Sequence, residues 1–189
     1  MANLRSQRWA SLGELLSADG PHPRYRSELA LFGQFVGAWD VRVMFFDADG
    51  HPTYDARGEW RFDWILDGRA IQDVIIYPNP ADGMSSAAGR RRTGSTLRFY
   101  DPEARLWNVV WVGVVTGTVA VMRARSVPPD IWLESTEPEG TLNRWVFADI
   151  EADRFHWRGL SSEDDGRSWT LNQEMFATRS LPSPDKSSL

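Results

Sequence analysis

Hydrophobic and polar residues alternate along most of this chain. The clearest run covers residues 54–64. Tyr54, Ala56, Gly58, Trp60, Phe62 and Trp64 occupy one face, and Asp55, Arg57, Glu59, Arg61 and Asp63 the other. A period of two predicts a strand with one face buried and one in water. Before it, Trp39, Val41, Val43 and Phe45 alternate with Asp40, Arg42 and Met44, and Asp47-Ala48-Asp49-Gly50 supplies a turn. After it, Asp67-Gly68 predicts a two-residue hairpin turn, since both residue types accept the positive φ that such turns need. The return strand covers about 70–77. Counting outward from the turn sets Trp64 opposite Ile71, Phe62 opposite Asp73 and Trp60 opposite Ile75. Asp73 thereby joins the aromatic face. A one-residue slip brings Gln72 there instead.

The same period recurs over 95–100, 106–114, 118–125, 131–136, 141–149, 154–160 and 168–178. Asp101-Pro102, Thr116-Gly117, Pro128-Pro129, Pro138-Glu139-Gly140, Glu151-Ala152-Asp153 and Asp164-Asp165-Gly166 punctuate these runs. The count is ten strands with hairpin-length links. This predicts an all-β, antiparallel, up-and-down barrel with room inside for a small molecule.

Helical spacing appears only near the start. Trp9, Leu12, Leu15 and Leu16 fit a short amphipathic helix, read as docked outside the barrel or as a lid or dimer contact. Residues 27–35 fit a second helix with Ser27 as its N-cap. The chain therefore divides into an N-terminal extension and linker (1–26), a barrel (27–180) and a Pro/Ser-rich tail read as disordered (181–189). Residues 79–94 form a long polar loop containing Arg90-Arg91-Arg92, read as solvated.

A length of 189 residues and a 42% hydrophobic fraction fit one domain with a substantial core. A net charge of −5 gives no broad basic surface, so nucleic acid is not an expected partner. With no cysteine there is no disulfide, thiolate metal site or cysteine nucleophile. His22, His51 and His156 are the only histidines and lack metal-ligand spacing, so no metal is expected. No secretory signal is visible and no apolar stretch approaches 18 residues, so a cytoplasmic protein with no membrane partner is expected. Met44 and Phe46 form an apolar edge that points to a homodimer contact. Ten Trp, nine Phe and four Tyr are unusually many aromatic residues, and favour a flat or conjugated ligand.

Gly37-Ala38-Trp39, set between a short helix and the first strand, resembles the Gly-x-Trp signature of the lipocalin-like (calycin) barrels. The ten-strand count is similar to the nitrobindin-type branch and its bacterial relatives of unknown function. Residues 66–73, Tyr100-Asp101-Pro102 and Trp107-x-x-x-Trp111 resemble segments of those relatives. The likeness covers about residues 29–179. It implies a cavity for a hydrophobic ligand. In a few such barrels it implies haem, and in a few a cofactor-free cyclase, isomerase or decarboxylase. Two departures stand out. Asp40, Val41, Arg42 and Val43 follow Trp39 where nitrobindin-type sequences carry glycines. His156, the only histidine of the C-terminal half, lies one hairpin earlier than the haem ligand of that branch.

Enzyme motifs with a fixed sequence signature are absent: no nucleophile elbow, P-loop, dinucleotide fingerprint or H-E-x-x-H. Asp47-x-Asp49-Gly50 lacks the twelfth-position Glu of a calcium loop and is read as a turn. Residues 162–169 match the Asp-box pattern S-x-D-x-G-x-[ST]-W, read as a stable hairpin. Candidate chemistry lies in polar residues among the aromatic faces. Asp73 beside Trp60 and Phe62 is the first acid–base candidate. Arg154, His156 and Arg158 share a face: outward it is a solvated basic stripe, inward an anion subsite with a proton donor. On the last strand either Gln173 or Glu174 faces in, and Glu174 is the third acid–base candidate. Arg98, between Leu97 and Phe99, poses the same question. Ligand contacts are expected from Tyr54, Trp60, Phe62, Trp64, Gln72, Ile75, Arg98, Trp107, Trp111 and Arg158. The reading is a barrel that binds a small hydrophobic or aromatic molecule. The alternatives are a cofactor-free enzyme using Asp73, His156 and Glu174, and haem held by His156.

Overall fold

A computed structural model describes residues 10–78 and 91–181. Ten strands make the body: β1 (Gly37–Phe46), β2 (Pro52–Ile65), β3 (Ala70–Pro78), β4 (Arg91–Asp101), β5 (Leu106–Gly113), β6 (Thr118–Val127), β7 (Asp130–Thr136), β8 (Leu142–Ala148), β9 (Arg154–Ser162) and β10 (Thr170–Arg179). Two helices precede them, α1 (Leu12–Leu16) and α2 (Arg26–Gly33), with a 3₁₀ turn at Pro23–Tyr25 between.

Each strand pairs antiparallel with the next, and β1 closes on β10 with Val43 opposite Met175. The result is a closed antiparallel barrel, which leaves no sheet edge unpaired. The β2–β3 hairpin has the register its turn predicts: Trp64 lies opposite Ile71, Phe62 opposite Asp73 and Trp60 opposite Ile75. Asp67 and Gly68 both adopt positive φ, 57° and 71°, and the Arg69 N–H donates to the Leu66 carbonyl at 3.0 Å. That is the primed turn that matches strand twist.

One end of the barrel is plugged by α2. Phe32 and Phe35 insert between the walls, with 0% and 1% exposure. Phe32 meets Trp107 edge-on at 4.9 Å, and Phe35 meets Phe147 at 4.7 Å and Phe155 at 4.9 Å. Each buried ring contributes roughly 2–3 kcal/mol of transfer free energy. Gly37 makes the corner from helix to strand with φ 124°, a conformation that an L side chain resists. Two residues on, the Trp39 indole donates to the Phe35 carbonyl at 2.7 Å, while Arg179 lies 4.1 Å over its ring. Arg179 also donates to the Val36 and Gln34 carbonyls, both at 3.0 Å, so the plug's C-terminus is tied to the last strand.

Some local expectations are corrected. Ser27 does not cap α2: Tyr25 holds that position without a side-chain bond, and the Ser27 hydroxyl donates to Glu28. Of the α1 leucines, Leu12 and Leu15 are 72% and 68% exposed and only Leu16 is half-buried. The helix is held through its end, by the Leu66 N–H to the Leu16 carbonyl and the Ala18 N–H to the Trp64 carbonyl. β4 begins at Arg91 and pairs with β3 from there, so residues 91–94 of the expected loop are strand. The rest of that expected loop, residues 79–90, Trp9 and the tail from 182 lie outside the described residues. Met44 and Phe46 are half-buried. The more exposed apolar side chains include Val114, Val119 and Val121, in and beside the β5–β6 hairpin.

Candidate functional site

At the end opposite α2 the interior opens into a cavity of about 130 Å³. Its walls are four indoles from four strands: Trp60 (β2), Trp111 (β5), Trp145 (β8) and Trp157 (β9). They stand nearly edge to face, Trp145 at 5.4 Å from Trp157, Trp111 at 6.2 Å from Trp145 and Trp60 at 6.5 Å from Trp157. Edge-to-face indoles each turn a ring face elsewhere, and here they share one void. Two glycines make the arrangement fit. A Cβ at Gly94 would collide with the Trp111 ring, and one at Gly159 would press on the Trp157 ring at 2.9 Å. Phe45 and Tyr77 complete the apolar rim, while Thr96, Gln173 and the Thr116–Thr118 turn supply polar atoms.

The cavity floor is a buried ion pair. Arg98 and Asp73 are each 1% exposed, and the Arg98 guanidinium donates to Asp73 Oδ2. The guanidinium also lies 5.3 Å from the Phe32 and Phe62 ring centroids and 5.8 Å from that of Phe147. The pair thus separates the Trp-walled cavity from the α2 plug. It leaves groups unmet. Arg98 Nε, Asp73 Oδ1 and Trp60 Nε1 are buried without a hydrogen-bond partner among the protein atoms.

The expected site residues divide into four sets. Trp60, Ile75, Arg98 and Trp111 line the cavity, with Asp73 directly behind Arg98. Phe62, Trp64 and Trp107 face inward but belong to the plugged end; the Trp64 ring packs over Gly33. Tyr54 stands on the inner face beside Phe45 and Tyr77, its hydroxyl donating to the Pro78 carbonyl at 2.6 Å. Gln72, His156, Arg158 and Glu174 point outside the barrel. Gln72 donates to Ser95 Oγ at 2.9 Å. His156 stacks on Phe176 at 4.3 Å, bonds Glu174 at 3.0 Å and lies 3.8 Å from Asp149. Arg158 is the cross-strand neighbour of Glu174. The structure therefore does not bring His156 and Glu174 together with Asp73. Sequence reasoning missed Trp145 and Trp157 as walls. The signal was the tryptophan count itself, but strand parity on β8 and β9 was needed to use it.

Haem does not fit this arrangement. None of the three histidines lines the cavity, and His156, which the resemblance would make the ligand, is engaged with Glu174 and Phe176 on the outer face. The Asp47, Asp49 and His51 side chains approach one another, but all three are exposed. Asp47 Oδ1 there accepts the Asp49 and His51 N–H groups, which is ordinary turn chemistry. The Asp-box hairpin is likewise self-contained. The Ser168 hydroxyl, the Ser168 backbone N–H and the Ser162 hydroxyl donate to Asp164 and hold its carboxyl down at about 2. Beside it Arg144 lies 4.0 Å from both Trp132 and Trp169. Burial pushes the Glu134 carboxyl up, and hydrogen bonds from Arg144 and Arg125 outweigh this and bring it below its usual value.

Fold and cavity together define a ten-stranded antiparallel barrel that resembles the lipocalin and calycin type, with an aromatic-lined interior. Among solved structures, the S-type phycobiliprotein lyase CPES from Guillardia theta superposes with a TM-score of 0.57 at 9% identity, over 82% of this chain and 93% of that one. EF1p2_mFAP2b bound to DFHBI aligns over 82% of this chain and 98% of that one, at 13% identity and a TM-score of 0.40. At 9% identity the likeness to the lyase is one of fold. No protein-family model and no curated protein matches the chain. Among the described residues no helix is long and apolar enough to cross a membrane.

Proposed function

We propose that this barrel binds a small flat apolar molecule, about one aromatic ring in size, in the Trp-walled cavity. One observation carries the reading: four indoles from four strands surround a single void of about 130 Å³ instead of closing on one another. Native cores pack without such voids, and an apolar cavity of about 150 Å³ is enough to hold benzene. In this reading residues 27–180 are the working unit, and the barrel is kin to the nitrobindin type. A catalytic use of the same cavity rests on Asp73, whose Oδ1 has no partner among the protein atoms. Arg98 stands between that carboxylate and the cavity, so a substrate would have to share the ion pair to reach it.

The test is a titration with a one-ring probe, acetophenone, followed through indole N–H resonances. Saturable shifts at Trp60, Trp111, Trp145 and Trp157 are expected, with Trp132 and Trp169 on the outer face unmoved. Shifts confined to the outer tryptophans, or none at all, would overturn the assignment. For the catalytic variant, Asp73→Asn should abolish turnover of a substrate while its binding persists.

A further inference from the structure

We infer that this chain forms a symmetric dimer in which a second copy covers the outer wall of β3–β6. Two rows of outward positions cross these four strands in register. One holds Val74, Ser95, Val112 and Val119, the other Gln72, Leu97, Val110 and Val121. Neither row contains a charge. Each of the other six strands carries outward charge, as Arg42 does on β1 and Glu174 on β10. The two polar side chains of the rows spend hydrogen bonds on the barrel itself. Gln72 Nε2 donates to Ser95 Oγ at 2.9 Å, and the Ser95 hydroxyl donates to the Asp73 carbonyl at 2.7 Å. Val119 and Val121 are 62% and 64% exposed, and Phe99, Val114 and Val115 extend the patch. Its apolar surface is roughly 600 Å², at the upper end of what a monomer leaves in one place. Two copies together bury about 1,200 Å², the lower limit of a specific interface, which predicts a reversible dimer with a micromolar Kd.

The borders of the patch select the partner. Arg61 pairs with Glu59 and Arg125 with Glu134, which leaves Asp63 on the β2 border and Arg123 on β6 without an ion pair among the described residues. A two-fold axis parallel to the strands, between β4 and β5, lays β3 of one copy on β6 of the other. Val74 then meets the partner's Val119, Leu97 meets the partner's Val110, and Asp63 lies beside the partner's Arg123. Each of these contacts occurs twice, because a two-fold interface repeats every pair in both directions. A shallow groove of about 380 Å³ along β2 and β3, with Asp63, Gln72 and Val74 in its wall, receives the partner's exposed β6 row. A lipid surface has no use for a carboxylate at the border, and a partner of one charge sign leaves either Asp63 or Arg123 unmatched. A second copy answers both. Met44 and Phe46, the apolar edge expected to make such a contact, are half-buried on β1, outside the patch.

Sedimentation velocity of the full chain from about 1 to 500 µM is the test. The unmodified chain should pass from monomer to dimer across that range. Val121→Lys sets a charge against the partner's uncharged β3 and should weaken the dimer by about tenfold or more. Asp63→Arg brings like charges together at both borders and should weaken it by about tenfold; adding Arg123→Asp should restore the parent Kd. A chain that stays monomeric to the top of the range overturns the inference, and adsorption of that monomer to phosphatidylcholine vesicles would assign the face to lipid instead. A dimer indifferent to Val121→Lys uses another face, which also overturns it. A charge reversal that the second substitution fails to rescue refutes the two-fold arrangement. The concentration series uses the unmodified chain, so its outcome stands whether or not every variant folds.

Discussion

The Arg98–Asp73 pair makes a sharp prediction about stability because its two partners are unequal once separated. Both side chains are buried in an aromatic interior. Arg98→Met keeps length and apolar bulk but leaves the Asp73 carboxylate without its counter-charge. Breaking a buried pair in this way costs about 3–5 kcal/mol. The ring contacts of the guanidinium with Phe32, Phe62 and Phe147 are lost as well, for roughly another 0.5–1 kcal/mol each at most. At about 2–4 °C per kcal/mol for a chain of this size, Tm should fall by on the order of 10 °C. The double variant Arg98→Met with Asp73→Leu removes both charges. It should return to within about 1 kcal/mol of the parent or exceed it, because neither ion then has to be desolvated. The assay is urea unfolding followed by tryptophan fluorescence, with m-values compared to confirm that the same surface is exposed. The coupling energy from the four proteins should be about 3 kcal/mol or more. Single variants that each cost under about 1 kcal/mol and simply add would refute the reasoning, since two buried ions in contact cannot be independent. A stable double variant would also show that the pair is retained for the cavity and not for the fold.

Further outcomes follow from the same contacts. Gly94→Ala puts a methyl group into the Trp111 ring; the indole must move into the cavity, so stability should fall by about 1–3 kcal/mol and acetophenone binding should weaken, as unfolding and titration would show. Phe32→Ala empties the centre of the plug and should cost about 3–5 kcal/mol in urea unfolding; a loss below about 1 kcal/mol would mean that α2 does not seal the barrel. Asp164 is held at about 2 in the folded protein, below its ordinary 3.8. Its contribution is therefore fully present above the ordinary value and fades as pH falls through about 2. The stability gap between the parent and Asp164→Ala should be constant from neutral pH down to about that ordinary value and shrink below it; a gap that widens in acid would contradict the hydrogen-bond account.

Much of the architecture is determined by local sequence. Eleven strictly alternating residues in β2 reveal which face is buried, because one face is entirely charged. The Asp67-Gly68 turn then sets the register of β3, and with it the inward direction of Asp73, before any distant contact is considered. The ten strands are legible for the same reason: short turns rich in Gly, Pro and Asp separate runs of period two. The site itself is not legible in this way. On β9, Phe155 and Trp157 alternate with His156 and Arg158, and the flanking turn does not fix parity; only pairing with β8 and β10 turns the indole inward and the histidine out. Glu174 is outward because Gln173 and Met175 oppose Gly159 and Trp157 across the closing strands. Arg98 shows the limit most clearly. Its neighbours Leu97 and Phe99 are the more apolar residues, yet they face outward and the arginine faces in, because Asp73 on the adjacent strand and three rings from α2, β2 and β8 await it there. Alternation reports burial, which is local. Charge pairing depends on which strands become neighbours, as β3 and β4 do here, and cavity shape on indoles from β2, β5, β8 and β9 that share one interior only when β1 meets β10 and the barrel closes.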